Sequence, residues 1–387
     1  MDTKELADWL VGEARLSADG IAIVEELGRR LVEAGVPLWR FRVAQRVSNP
    51  LLAAWGVIWR SDAPTEDYVV PTAWLDTQTW IGSPFEYVTE TRSSLRKRLR
   101  NLDPQKDYHL YLELAAEGGT DFFCLPLEYG DGSVQGTSIT TNHPDGFSDD
   151  HLALFEAIRM PLAAAMEPVA MRRSTASLLK TYLGKGPAEA VVAGAVRRGG
   201  LSELKAVVMF SDLRGFTEKS TSWGDAKLLE ALDQYFEVVV DAVHEHEGDV
   251  LKFLGDGVLA VFPILEGTNV PRRCADALAA ARQAQDKLAA VNEVRLAAGD
   301  EAIEFGTGLH LGMLTYGNIG SADRLDFTVI GETVNLASRI EGLCKMLGRR
   351  VLCSSALAKH MPETLTSLGS HQVHGVREPV EVFTDRA

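Results

Sequence analysis

The apolar run Ala206-Val207-Val208-Met209 passes into "FSDLRGFT" (210–217), so a segment with the marks of a buried strand finishes on the carboxylate of Asp212. This ending restricts the fold more than any other stretch, because an ionised carboxylate leaving water is costly unless a cation or hydrogen-bond donors meet it. Next, "GDAKLLEALDQYFEVVVDAVHEHEG" places Leu228, Leu232, Tyr235, Val239 and Val243 at helical spacing. Then "GDVLKFLGDGVLAVF" alternates as two strands around Gly255-Asp256-Gly257, a hairpin with Asp-Gly turn chemistry that sets Asp256 at its tip. The order is βαββ. A crossover helix returns the chain so that the hairpin pairs beside the first strand, and Asp212 and Asp256 converge at one edge of the sheet. Alone, each aspartate reads as a turn residue or a helix cap. Together, beside a helix N-terminus, they form a hard-oxygen site suited to Mg²⁺ or Mn²⁺ carried with substrate phosphates.

Downstream, "DFTVIGETVNLASRIEGLCKMLG" reads as a strand (327–330), Gly331, and a helix whose stripe is Leu336, Ile340, Leu343 and Leu347. Asn335 and Arg339, four apart, share another face. Facing a metal-phosphate site, such a pair positions a sugar and stabilises charge developing on phosphorus.

The first half has a different character. Six of the seven tryptophans lie in the first 80 residues, and the segments read as helix ("GIAIVEELGRRLVEAG"), strands ("LWRFRVAQRV", "AAWGVIWR"), a basic stretch ("RSSLRKRLR"), a strand pair around Gly130-Asp131-Gly132, and a helix from about Ser148. This order predicts an α+β domain with an antiparallel sheet. The segment "DFFCLPLEYGDGSVQGTSITTNHPDGFSDDHLALFEAI" resembles the second half of a GAF-type sensor domain, without a cyclic-nucleotide signature. The tryptophans could line a pocket, although aromatics at this spacing are more often core. Arg92, Arg96, Lys97, Arg98 and Arg100 could grip an anion, a solvated helical face being the commoner explanation. Residues 150–183 are helical in pattern but carry Pro161 and Pro168, which predicts a bent connector. Gly184-Lys185-Gly186 lacks the rest of a phosphate-cradling loop and reads as a turn. The expected domains are 1–165 (GAF-like sensor), 166–202 (helical connector) and 203–387 (catalytic).

A formal charge of −15 over 387 residues argues against general nucleic-acid binding. A nucleotide substrate stays compatible, since a divalent cation can supply positive charge locally. No apolar run has the length to cross a bilayer, and "MDTKELADWLVGEARL" is acidic where a secretory signal is basic, so the expectation is a cytoplasmic protein with no membrane partner. Cys124, Cys274, Cys344 and Cys353 are scattered, and buried free thiols are expected.

Taken together, "FSDLRGFT", "LKFLGDGVLAVF" and "FTVIGETVNLASRIE" resemble the catalytic domain of class III nucleotidyl cyclases over about residues 203–383. The resemblance implies a ferredoxin-like βαββαβ domain. Asp212 and Asp256 would be ligands of two Mg²⁺ or Mn²⁺ ions, Asn335 would orient the ribose, and Arg339 would stabilise the α-phosphate. The implied reaction cyclises a nucleoside triphosphate to its 3′,5′-cyclic monophosphate and pyrophosphate in a head-to-tail homodimer. Two further positions govern base choice in the family, and they align with Lys252 and Thr328. Lysine suits adenine N1 and the threonine hydroxyl can accept from the exocyclic amine, so ATP is favoured, as in the class IIIb subgroup, some of which respond to bicarbonate. The usual lysine for the terminal phosphates is missing from "HQVHGVREPVEVF", where His374 or Arg377 could substitute. The leading reading is an adenylate cyclase regulated by an unidentified signal at its N-terminal domain. Its alternatives are a guanylate cyclase and a catalytically silent nucleotide-binding regulatory protein.

Overall fold

The computed structural model describes residues 3–194, 201–321, 325–373 and 375–386. The chain divides into two compact units, residues 1–178 and 179–387.

In the first unit, α1 (Thr3–Trp9), a π turn (Leu10–Ala14), α2 (Arg15–Ser17) and α3 (Gly20–Glu33) precede the sheet. The strands are β1 (Arg40–Arg46), β2 (Leu52–Arg60), β3 (Ala63–Pro71), β4 (Leu95–Arg98), β5 (Asp121–Glu128) and β6 (Val134–Thr141), with α4 (Pro84–Thr91) and α5 (His109–Ala116) between them. They pair antiparallel in the order β3-β2-β1-β6-β5-β4. Alternation along β1 turns Phe41 and Val43 toward a core shared with Trp55, Val57, Trp59, Phe123 and Ile139. Leu27 and Leu31 of α3 close this core, and Asp19 starts that helix by accepting from the backbone N–H groups of Ile21 and Ala22.

The helix α6 (Asp149–Leu183) runs as one continuous element through Pro161 and Pro168, where the sequence predicts bends. A mid-helix proline costs ~3 kcal/mol, whereas burial of Ile158, Leu162, Met166 and Val169 contributes roughly 1.5–3 kcal/mol for each side chain. Packing therefore wins. The basic stretch is corrected, since residues 95–98 form strand β4 and not a helical face. Four of its five charges are already committed. Arg96 and Arg98 meet the fully buried Asp121 at 2.8 and 3.3 Å, Arg92 meets Glu128, and Lys97 meets Asp107.

The second unit begins with α7 (Lys185–Val192), followed by β7 (Leu201–Leu213), α8 (Phe216–Ser222), α9 (Asp225–Glu245), β8 (Asp249–Leu254), β9 (Gly257–Ile264), α10 (Val270–Ala297) and β10 (Phe305–Gly320). Then come β11 (Leu325–Ile330), α11 (Glu332–Met346), β12 (Val351–Ser354), α12 (Ser355–Ala358), β13 (Leu365–His371) and β14 (Val380–Asp385). The sheet runs β13-β14-β12-β10-β7-β9-β8, with β11 paired to β10. Its centre, β10-β7-β9-β8, is the antiparallel order of a βαββαβ unit, in agreement with the sequence. Tyr235, Val239 and Val243 of α9 and Leu278 and Ala281 of α10 cover one face. On the other, Val329 of β11 and Ala337 of α11 pack with Val208, Leu251 and Leu259. Helix α11 lies so close to β10 that a β-carbon at Gly308 would stand 2.3 Å from the Ala337 carbonyl oxygen. All four cysteines are buried free thiols.

Candidate active site

Asp212 is the penultimate residue of β7, placed opposite Gly257 on β9 and Gly306 on β10. The β8–β9 connection is the pair Gly255-Asp256, with Gly255 at φ +69°, a conformation that glycine adopts without steric cost. The expected Asp-Gly turn is thus shifted by one residue, because Gly257 already belongs to β9. Asp256 still sits at the tip, close enough for its charge to act on the Asp212 carboxyl. Burial, and then the negative charge of Asp256, hold Asp212 well above the usual carboxylate range.

A third carboxyl adjoins the pair. Glu341 of α11 is pushed up to about 7 by burial first and by Asp212 second, with Arg214 opposing. Arg214 does not neutralise the group, for its guanidinium is engaged with the Arg349 carbonyl at 2.6 Å and with Glu304 at 3.6 Å. Glu341 was not singled out in the sequence. Its signal was the four-residue spacing from Ala337, which puts both on the helix face toward β10.

Two neighbouring carboxyls, Asp212 near the end of β7 and Asp256 at the β8–β9 tip, fit a divalent metal. Among the described residues no cluster of three or more metal-ligating side chains occurs, so backbone, water and substrate phosphate would complete the coordination sphere, as is usual for Mg²⁺. Saturating Mn²⁺, at about 100 times its dissociation constant, should stabilise the folded chain by ~2.7 kcal/mol. Asp212→Asn should lose most of that gain in thermal unfolding with and without EDTA. An equal gain in both proteins would remove the pair as the cation site.

The remaining sequence-derived positions separate into two sets. Asn335 and Arg339 are both exposed on α11, and no hydrogen bond or ion pair among the described residues links either to Asp212 or Asp256. The Arg339 guanidinium lies 3.9 Å from where a β-carbon of Gly375 would stand. Lys252 on β8 donates to the carboxylate of Asp326 on β11 at 2.5 Å. Thr328, half-buried opposite Gly317, is two residues from Asp326 and shares its strand face. Asp326 was also missed; only this two-residue spacing in "LDFTVI" pointed to it. His374 lies outside the described residues, and Arg377 is exposed.

At the end of β8 away from the hairpin tip, the chain entering the second unit meets Asp249. Lys185 and Gly186 donate backbone N–H groups to Asp249 Oδ1 and Oδ2 at 3.2 and 2.8 Å. Gly184 at φ +85° caps α7, so Gly184-Lys185-Gly186 is a helix start and not a phosphate loop.

Residues 202–384 match the family described as the adenylate and guanylate cyclase catalytic domain. Adenylate cyclase 1 of Rhizobium meliloti is 30% identical over 179 residues, 45% of this chain and 26% of that protein. The adenylate cyclase of Anabaena cylindrica is 30% identical over 196 residues, 49% of this chain and 38% of the relative. A crystal structure of the adenylyl cyclase CyaB from P. aeruginosa aligns at 26% identity and a TM-score of 0.44, covering 48% of this chain and 96% of that one. The chain therefore spans well under half the length of these two curated relatives.

Proposed function

We propose that this chain, whose residues 202–384 match the adenylate and guanylate cyclase catalytic domain, is a class III nucleotidyl cyclase and an adenylate cyclase, converting ATP to 3′,5′-cyclic AMP and pyrophosphate. The observation that carries the reading is that Asp212 at the end of β7 and Asp256 at the β8–β9 tip lie close enough for the charge of one to raise the other, inside the segment that matches the family. The 3′-hydroxyl oxygen forms a bond to the α-phosphorus, the bond from that phosphorus to the pyrophosphate oxygen breaks, and the hydroxyl proton leaves to solvent. Two Mg²⁺ or Mn²⁺ ions, when held by Asp212 and Asp256, supply the Lewis-acid charge that makes the hydroxyl acidic and neutralises the phosphate oxygens. Asn335 orients the ribose through its amide, and Arg339 brings a guanidinium to the charge that develops on the α-phosphoryl oxygens. Both residues are exposed on α11 and do not contact the carboxylates of their own chain, which supports a head-to-tail homodimer in which one copy completes the other's site.

Base choice rests on Lys252. Its ammonium is a donor, matching the N1 acceptor of adenine and opposing the N1–H donor of guanine. Asp326 holds this ammonium, and in this reading the Thr328 hydroxyl accepts from the adenine amino group. The N-terminal unit regulates the catalytic one. Among the described residues no helix is long and apolar enough to cross a membrane, which supports the reading of a cytoplasmic enzyme.

The test is incubation of the full chain with Mn²⁺ and equal ATP and GTP, with products identified by mass spectrometry. Cyclic AMP should predominate, and Lys252→Glu should reduce the ATP-to-GTP preference by ~10-fold or more, the loss of one charged hydrogen bond being worth about that factor. Predominant cyclic GMP from the unaltered chain would replace the adenylate reading by the guanylate one. Nucleotide binding without any product would favour the silent regulatory protein.

A further inference from the structure

The first unit contains a cavity of about 710 Å³ on the sheet face opposite the helix-covered core, within the size range of small-molecule sites. The sequence of β1 is unusual there. "RFRVAQR" sends Phe41 and Val43 to the core and Arg40, Arg42 and Arg46 to the other face, where they line the cavity. Small residues at Ala44, Ala54 and Gly136 leave room above the sheet.

These guanidiniums are not balanced by acids at their own depth. The cavity's carboxylates, Glu90 and Glu113, are exposed. Arg40 is held down to about 10 by burial first and by Arg42 and Arg60 next, and its Nη1 is buried without a hydrogen-bond partner. An unmet buried donor on a residue that lines a cavity is costly, and an acceptor that arrives from outside would satisfy it.

Around the charge the lining is aromatic. The Arg42 guanidinium lies over the rings of Tyr68 at 4.7 Å and Phe85 at 4.5 Å. Trp74 and Trp80 line the cavity from the segment after β3, which Tyr108 secures by donating its hydroxyl to the Gln78 and Thr79 carbonyls. Donors at the floor and flat apolar walls select a ligand with one anionic end and a planar body. A phosphate alone would leave the walls unused.

We infer that this cavity is a binding site for a small aromatic carboxylate, whose carboxylate is held by Arg40 and Arg42 and whose ring lies among Tyr68, Phe85 and Trp80. This site is independent of the base assignment of the catalytic unit, since it is read from the first unit alone.

The experiment is titration calorimetry on the full chain with benzoate, indole-3-carboxylate and naphthalene-2-carboxylate, alongside indole-3-carboxamide and inorganic phosphate. At least one carboxylate should bind with a dissociation constant on the order of 10–100 μM, and the carboxamide should bind at least ~10-fold more weakly. Arg40→Met should weaken that carboxylate ~10-fold or more while leaving the carboxamide unchanged. Ala44→Trp, which fills the space without touching a charge, should abolish binding of all the aromatic probes. Arg100→Met, an equal change of charge on an exposed loop, should leave binding intact, and thermal unfolding of each variant establishes that it is folded. Equal affinity for carboxylate and carboxamide, inorganic phosphate binding as tightly as any aromatic probe, or no binding by any of the three carboxylates would each overturn the assignment.

Discussion

Asp256→Asn is expected to lower turnover at least ~10²-fold with the fold intact, the scale of losing a strong transition-state electrostatic element. The substitution keeps the size of the side chain at the hairpin tip and removes one negative charge. In the absence of metal this change relieves a repulsion, because Asp256 is the charge that, after burial, raises Asp212. Stability in EDTA should therefore stay level or rise while activity with Mn²⁺ collapses. Opposite movement of the two quantities separates a chemical role from a structural one. Measuring kcat with Mn²⁺ beside the unfolding midpoint in EDTA decides it. Near-unchanged turnover, or a fall in stability that accounts for the lost activity, would sink the two-carboxylate site.

Asp212→Asn should behave alike in turnover, but it sits within the sheet between β9 and β10, so its stability readout is less clean. The hairpin tip is the better position because Asp256 adds no rung to either strand. Glu341 offers a contrast. Its carboxyl is close enough to feel Asp212, yet it belongs to the helix packed on Gly306 and Gly308, so replacing it disturbs packing and charge together.

What the sequence disclosed, and what it withheld, follows from the range of the interactions. The β7-α9-β8-β9 order was legible because periodicities of 3.6 and 2 are local signals, and turn glycines punctuate them. Convergence of Asp212 and Asp256 followed from that topology without any knowledge of side chains. Asp326 was invisible by the same logic, since its partner Lys252 is 74 residues away and an exposed strand residue has no pattern of its own. The basic stretch misled because charge density says nothing about partners. Asp121 and Asp107, supplied by the chain 10 to 25 residues later, absorb Arg96 and Lys97. The alternating arginines of β1 were equally plain in "RFRVAQR", but their meaning depends on α4, α5 and the Trp74–Trp80 segment covering that face.

The exposed pair on α11 leads to the second large expected effect. Arg339→Ala chains and Asp256→Asn chains should each be nearly inactive, and mixing them should restore activity. Arg339 and Asn335 project from a helix whose buried face is spent on β10, and neither reaches the carboxylates of its own chain. Beside Asp256, Phe253 and Leu254 are 51% and 46% exposed, apolar area of the kind a stable interface of ~1,000 Å² or more would cover. If two copies meet head to tail, a heterodimer gathers both lesions into one site and leaves the other whole. Random exchange of equal amounts makes half of the dimers mixed, each with one of two sites intact, so recovery should approach about a quarter of unaltered activity. Recovery must also depend on total protein concentration, as an intramolecular site would not. With exchange verified by a mass label, no recovery would place the whole site within one chain, and Arg339 would then have to reach Asp212 and Asp256 by a rearrangement of α11.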